Sequence, residues 1–180
     1  MKIIYMADAI RKGPTMTDVK AAAQRMAEIV RKQEADLIFD HFTPEDAWQL
    51  GQIIRQNAMK AEASLSIDIT ACGLQLFHCA AGQPAPNNES WVRRKRNAVL
   101  EFWKSSLLTA KEMLISGRTL QDFGHSEMDF ALSGGGFPIR VKGVGFVGAV
   151  VVSGLPQLQD HQLIVDSIAE YLKVEVPSVL

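Results

Sequence analysis

Residues 144–153, Val-Gly-Phe-Val-Gly-Ala-Val-Val-Val-Ser, are apolar at successive positions rather than at alternate ones. Neighbouring side chains of a strand point to opposite faces, so this segment needs cover on both sides. It is therefore expected as a central strand with further layers above and below. Its glycines Gly143, Gly145 and Gly148 spell G-x-G-x-x-G. A dinucleotide fingerprint needs a helix N-terminus after the turn to bind pyrophosphate. Here Ala149-Val150-Val151-Val152 continues the strand, so the glycines are read as points where another element approaches a flat sheet face.

The neighbouring segments fit a sheet of local hairpins. Residues 138–142 are expected to pair with the central strand through Gly143. Residues 64–70 alternate cleanly, with Leu65, Ile67 and Ile69 expected inward and Ser66, Asp68 and Thr70 outward. Ala71-Cys72-Gly73 then turns the chain into a partner strand at 74–80. A short strand is expected at 36–42, and another could lie within 127–132 of the weakly periodic stretch 118–142. Helices are expected at 17–34 and after the start signal Thr43-Pro44-Glu45-Asp46, which combines an N-cap hydroxyl, proline at the first position and first-turn acids. Another runs over 89–115 with a break near Ser105, and the last over 157–172. The element order predicts an α/β (α+β) fold, largely antiparallel, with helices packed on the sheet. The 180 residues suit one domain, 1–180, with an N-terminal helical extension at 1–35 and a core at 36–175.

Charge and cysteine usage narrow the function classes. Lys and Arg total 19 against 20 Asp and Glu, a formal net charge of -1, which does not point to nucleic acid or a membrane as partner. Asp8 interrupts the first apolar stretch before it could form a signal-peptide core, and the run at 144–152 is too short to span a bilayer. The two cysteines, Cys72 and Cys79, lack redox or zinc spacing and fit free thiols of a cytoplasmic protein. The histidines His41, His78, His125 and His161 form no metal motif, so no metal site is expected.

Three features could carry chemistry. In Arg93-Arg94-Lys95-Arg96, the side chains point in four directions around a helix, and Arg96 falls four residues from Val92, on a stripe with Val99, Leu100 and Trp103. An arginine on a core-facing stripe needs an acid, carbonyls or an anionic ligand. Arg93 and Asn97 lie side by side next to it. His161 shares a buried stripe with Ile164, Val165, Ile168 and Leu172. It is read either as a hydrogen-bonded core histidine or as a ligand or proton carrier, and it is the candidate catalytic residue. Gly134, Gly135 and Gly136 could present backbone amides to an anion, or make an ordinary turn.

Trp91-Val92-Arg93-Arg94-Lys95-Arg96-Asn97, the run Gly135-Gly136-Phe137-Pro138-Ile139-Arg140-Val141-Lys142-Gly143, Val147-Gly148-Ala149, Val152-Ser153-Gly154-Leu155-Pro156 and Asp160-His161 together resemble the GlcG/HbpS-like haem-degrading family, in its branch of small cytosolic proteins. The resemblance covers roughly residues 39–172. It implies a profilin-like fold, an antiparallel five-stranded sheet with helices on both faces, assembled as a symmetric homo-oligomer. It also implies a pocket for haem or another small molecule. The close branch often has histidine where this chain has Ser133, so that position offers no imidazole to haem iron.

Two functions are carried forward. The first is a small-molecule-binding protein with haem or another flat anion as ligand. Arg93, Arg96 and Asn97 would hold carboxylates or phosphates, the glycine loop would supply amides, and His161 would be axial ligand or proton carrier. The second is a non-catalytic oligomeric protein-interaction module without haem activity, in which the arginine cluster crosses a subunit interface. Whether the chain is an enzyme is left open by the sequence.

Overall fold

Three of the helices open on side-chain caps. The computed structural model describes residues 13–180. Helix α1 spans Met16–Asp36 and α2 spans Pro44–Lys60, and each opens on a reciprocal capping box, Thr15 with Asp18 and Thr43 with Asp46. Strands β1 (Leu65–Ala71) and β2 (Leu74–Ala81) form the first hairpin. Helix α3 (Asn87–Phe102) stops where Trp103 turns left-handed at φ 54°, and α4 (Ser106–Ser116) restarts with the Ser105 hydroxyl accepting from the Leu108 amide at 3.2 Å. The break expected near Ser105 is thus present. Strands β3 (Gly136–Val141) and β4 (Gly145–Ser153) make the second hairpin, and α5 (Gln157–Leu172) follows. The stretch 1–12, which carries Asp8 and the first third of the expected extension, lies outside the described residues.

The sheet is antiparallel with order β2-β1-β4-β3, so β4 is central. One face carries Leu65, Ile67, Ile69, Val150 and Val152 against Leu50 and Ile54 of α2 and Ile164 and Ile168 of α5. The other carries Ala149 and Val151 against Val92 and Val99 of α3. Each such aliphatic side chain contributes about 1.5–3 kcal/mol when removed from water. A third cluster, Ala27, Val30, Leu107, Leu108 and Val179, joins α1, α4 and the C-terminal segment.

The strand count differs from expectation. Among the described residues the sheet has four strands, not five. Residues 36–42 contribute a single parallel bridge, Phe39 with Val141, because α1 runs on to Asp36 and α2 begins at Pro44. Leu37 and Phe39 are buried in the core from this connection, and Phe42 packs half-buried against it. Nor does 127–132 form a strand: the amides of Asp129 and Phe130 both turn back to the Ser126 carbonyl. A second correction concerns β1. Ser66, Asp68 and Thr70, expected outward into water, are buried under α3 at 2, 0 and 9% exposure. Gly148 answers the false fingerprint: a Cβ there would collide with the Thr70 carbonyl of β1.

Candidate functional site

The sequence-predicted residues do not converge on one pocket. The Arg93 guanidinium donates to the Asp129 carboxylate at 3.0 Å and to the Met128 carbonyl at 2.8 Å, and the Asn97 amide donates to the Asp129 carbonyl at 2.9 Å. These two side chains of α3 therefore anchor the loop at 128–129. Arg96 turns to the sheet and donates to Asp68 at 3.1 Å. Asp68 also accepts from Thr70 at 2.9 Å and Gln75 at 2.5 Å, which compensates a carboxylate with no exposure. Arg93 and Arg96 share a cleft of about 250 Å³ with Asp68, His78 and Glu89, where His78 bridges the two acids at 3.6 and 3.4 Å.

His161 is buried at 0% exposure, beside the Phe137 ring at 5.8 Å. Gln33 of α1 gives its side-chain nitrogen to the Pro177 carbonyl at 2.7 Å, so its oxygen faces His161 Nε2 at 2.9 Å. That fixes the tautomer with hydrogen on Nε2 and leaves Nδ1 without a partner. Burial pushes the imidazole pKa down to about 4. The side chain is a neutral core histidine and lines none of the cavities described here.

The glycine loop packs closely against its neighbours. Gly136 donates its amide to the Ser106 hydroxyl at 3.0 Å, and Gly134 faces the Gln157 side chain at 3.5 Å. At Gly135, with φ 109°, a Cβ would come within 2.6 Å of the Val152 carbonyl and 2.7 Å of Lys95 Nζ. The loop lies so close because it closes over an ion pair that the sequence reading missed. Lys95 Nζ stands 2.7 Å from Asp160 and 3.0 Å from the Val152 carbonyl, with both charged side chains at most 3% exposed. The other Asp160 oxygen accepts from the Leu155 amide at 3.0 Å. Desolvation lowers the Lys95 pKa and raises that of Asp160, each partly opposed by its partner. The missed signal was spacing: Val92, Lys95 and Val99 follow at +3 and +4, the buried stripe itself, while Leu100 and Trp103 stand 37 and 59% exposed.

One cavity borders this pair, and a second adjoins that cavity. One, about 220 Å³, is lined by Lys95, Asp160, Asn88, Ser153, Trp91 and Ser133. The other is a groove of about 460 Å³ between α3, α4 and the segment 118–133, and it shares Trp91 and Ser133 with the first. Its wall combines Met113, Leu114 and Phe130 with two cations, Arg94 and Arg118. The Arg94 guanidinium lies 4.6 Å over the Trp91 ring, and its Nε has no hydrogen-bond partner. Such a wall suits a flat apolar molecule carrying carboxylates. Sequence spacing gave no sign of this groove, because one of its walls is the irregular segment that follows α4. Among the described residues no group of three or more His, Cys, Asp and Glu side chains is placed to hold a metal ion, and no helix is long and apolar enough to cross a membrane.

Comparison with known proteins agrees with this architecture. A UPF0303 protein of Streptomyces coelicolor is 41% identical over 151 residues, covering 83% of this chain and 95% of the relative. The crystal structure of the Ybr137w protein superposes with a TM-score of 0.75 at 27% identity, covering 82% of this chain and 87% of that one. The PduOC:haem complex superposes with a TM-score of 0.61 at 15% identity, over 76% of this chain and 97% of that one, a likeness of fold. Residues 42–169 match the model of a family described as haem degrading protein HbpS-like, and the chain belongs to that family.

Proposed function

We propose that this protein binds a flat, largely apolar anion of the haem kind in the groove between α3 and α4, as a homo-oligomer in the cytoplasm. The observation that carries the reading is the pairing of Arg94 and Arg118 on a wall otherwise built from Trp91, Met113, Leu114 and Phe130. A plate with two carboxylates on one edge would stack on the apolar wall and set each carboxylate on a guanidinium. The family's description and the haem in the PduOC complex support the choice of ligand class. The residues present fit the plate and its carboxylates. They supply no imidazole: the iron-seeking group on the wall is the Met113 thioether. Haem, when bound, supplies redox chemistry at its iron; this chain's part is to hold the plate and shield it from water. In this reading Arg93, Arg96, Asn97, the glycine loop and His161 support the site and do not touch the ligand.

The same proposal includes a profilin-like organisation as one domain. Contacts between Gln33 and His161, and between Glu34 and the Ser105 amide at 2.8 Å, tie the end of the 1–35 extension to the core at 36–175. Titration with haemin, followed by its absorption band and repeated with Arg94→Ala, tests the binding.

A second reading is an oligomeric interaction module without haem. It is favoured by the end of the sheet where both hairpins turn: Leu74, Val144 and Trp103 stand 64, 72 and 59% exposed there, with Trp103 stacked on Phe146 at 5.4 Å. Substituting Val144→Lys together with Leu74→Lys would shift the mass in light scattering if this end joins subunits.

A further inference from the structure

From the geometry around Lys95 we infer an imine-forming site: Lys95 Nζ is the amine that captures a small aldehyde or ketone in the 220 Å³ cavity beside it, and Asp160 moves the protons. This goes beyond the groove reading and does not depend on it.

A buried ion pair that served stability alone would be packed on every side. Here the glycine loop packs on one side of the pair, while another side borders a cavity. Gly135 brings the loop to the far side of the amine, where any Cβ would lie 2.7 Å from Nζ and 2.8 Å from the Asp160 Cβ. The cavity itself is lined by small polar side chains, Ser133, Ser153 and Asn88, under the Trp91 ring. Asn88 is fixed by its bond to the Ser153 carbonyl at 2.9 Å. Asp160 is fixed in turn by the Leu155 amide, so its second oxygen stays on the lysine. An amine serves as nucleophile only when neutral. Desolvation, which lowers its pKa, and a carboxylate in contact, which can accept the proton, together meet that need.

The step balances within these groups. Asp160 accepts a proton from the Lys95 ammonium. The freed nitrogen lone pair attacks the carbonyl carbon, the C=O π pair moves to oxygen, and a proton passes from nitrogen to that oxygen. Asp160 then returns its proton to the hydroxyl, which leaves as water. The product is an iminium ion paired with the Asp160 carboxylate. Ligand plus ammonium become iminium plus water, with no external oxidant or reductant. The cavity's size and the neutral sum of the pair suit a small, uncharged carbonyl compound.

The test uses acetaldehyde as probe with cyanoborohydride, which reduces the imine and leaves an ethyl group on the nitrogen. The intact protein is labelled briefly at neutral pH, digested, and the label at each lysine quantified by mass spectrometry. The exposed Lys32, paired only with Asp36 at 2.8 Å, is the internal reference. Lys95 is expected to label faster than Lys32, since desolvation lowers its pKa and leaves more of the amine neutral. The variant Ser133→Leu fills the cavity wall without touching the ion pair, and should slow labelling at Lys95 while leaving Lys32 unchanged. Labelling of Lys95 no faster than that of Lys32, or equally fast in Ser133→Leu and the natural chain, overturns the inference. Haemin takes no part in the measurement, so its failure to bind would leave this result untouched.

Discussion

Lys95 on α3 and Asp160 on α5 meet at 2.7 Å beside the C-terminal end of the central strand β4, each at most 3% exposed, and join the two helical layers by one ion pair. Removing one partner strands the other charge in the core. Lys95→Met should therefore cost about 3–5 kcal/mol in denaturant unfolding, and Asp160→Leu a similar amount. The double variant, with neither charge, should recover most of that loss. Equal, additive losses in a double-mutant cycle would show that the two groups are not coupled.

His161 makes the protein acid-sensitive with a definite sign. Its folded-state pKa lies near 4, below the ordinary 6.5, so the unfolded chain binds the proton first as pH falls. Stability from this group is complete above about pH 6.5 and drains away toward pH 4, by roughly 3 kcal/mol at full effect. Unfolding free energies of the natural chain and His161→Leu, measured at several pH values, should diverge in slope across that window. Parallel curves would mean that His161 is not held neutral by burial.

Arg96 has taken one of the partners its position on the helix called for, an acid. It compensates Asp68, which keeps the Thr70 and Gln75 donors when the guanidinium is removed. Arg96→Ala should cost about 1–3 kcal/mol of stability and leave both haemin affinity and oligomer mass unchanged. A change in affinity larger than threefold would place Arg96 in contact with ligand after all.

How much of this was legible in the sequence depends on the range of the interaction. The unbroken apolar run at 144–153 identified the central strand, and Thr43-Pro44-Glu45-Asp46 located the start of α2, because both signals are local. The break at Ser105 was visible for the same reason. The stretch 36–42 alternated like a strand, yet its neighbours' helices leave only Phe39 to bridge, so propensity lost to connectivity. His161 was correctly placed on a buried stripe, but the group that neutralises its role, Gln33, lies 128 residues away in sequence. On α3 the stripe was read one residue off. Arg96 was taken for the core-facing cation when the +3, +4 spacing from Val92 to Val99 runs through Lys95. The groove could not be read at all, since one of its walls is a segment without periodicity.

Haemin titration of the purified protein shows whether the groove holds a flat anion on Arg94 and Arg118. A saturable shift of the haem absorption band is expected near one equivalent per chain. Binding should be about tenfold weaker in Arg94→Ala and in Arg118→Ala, the loss of one charge-assisted contact each, with Arg96→Ala unaffected. No shift, or a shift indifferent to both groove arginines, would contradict binding in the groove.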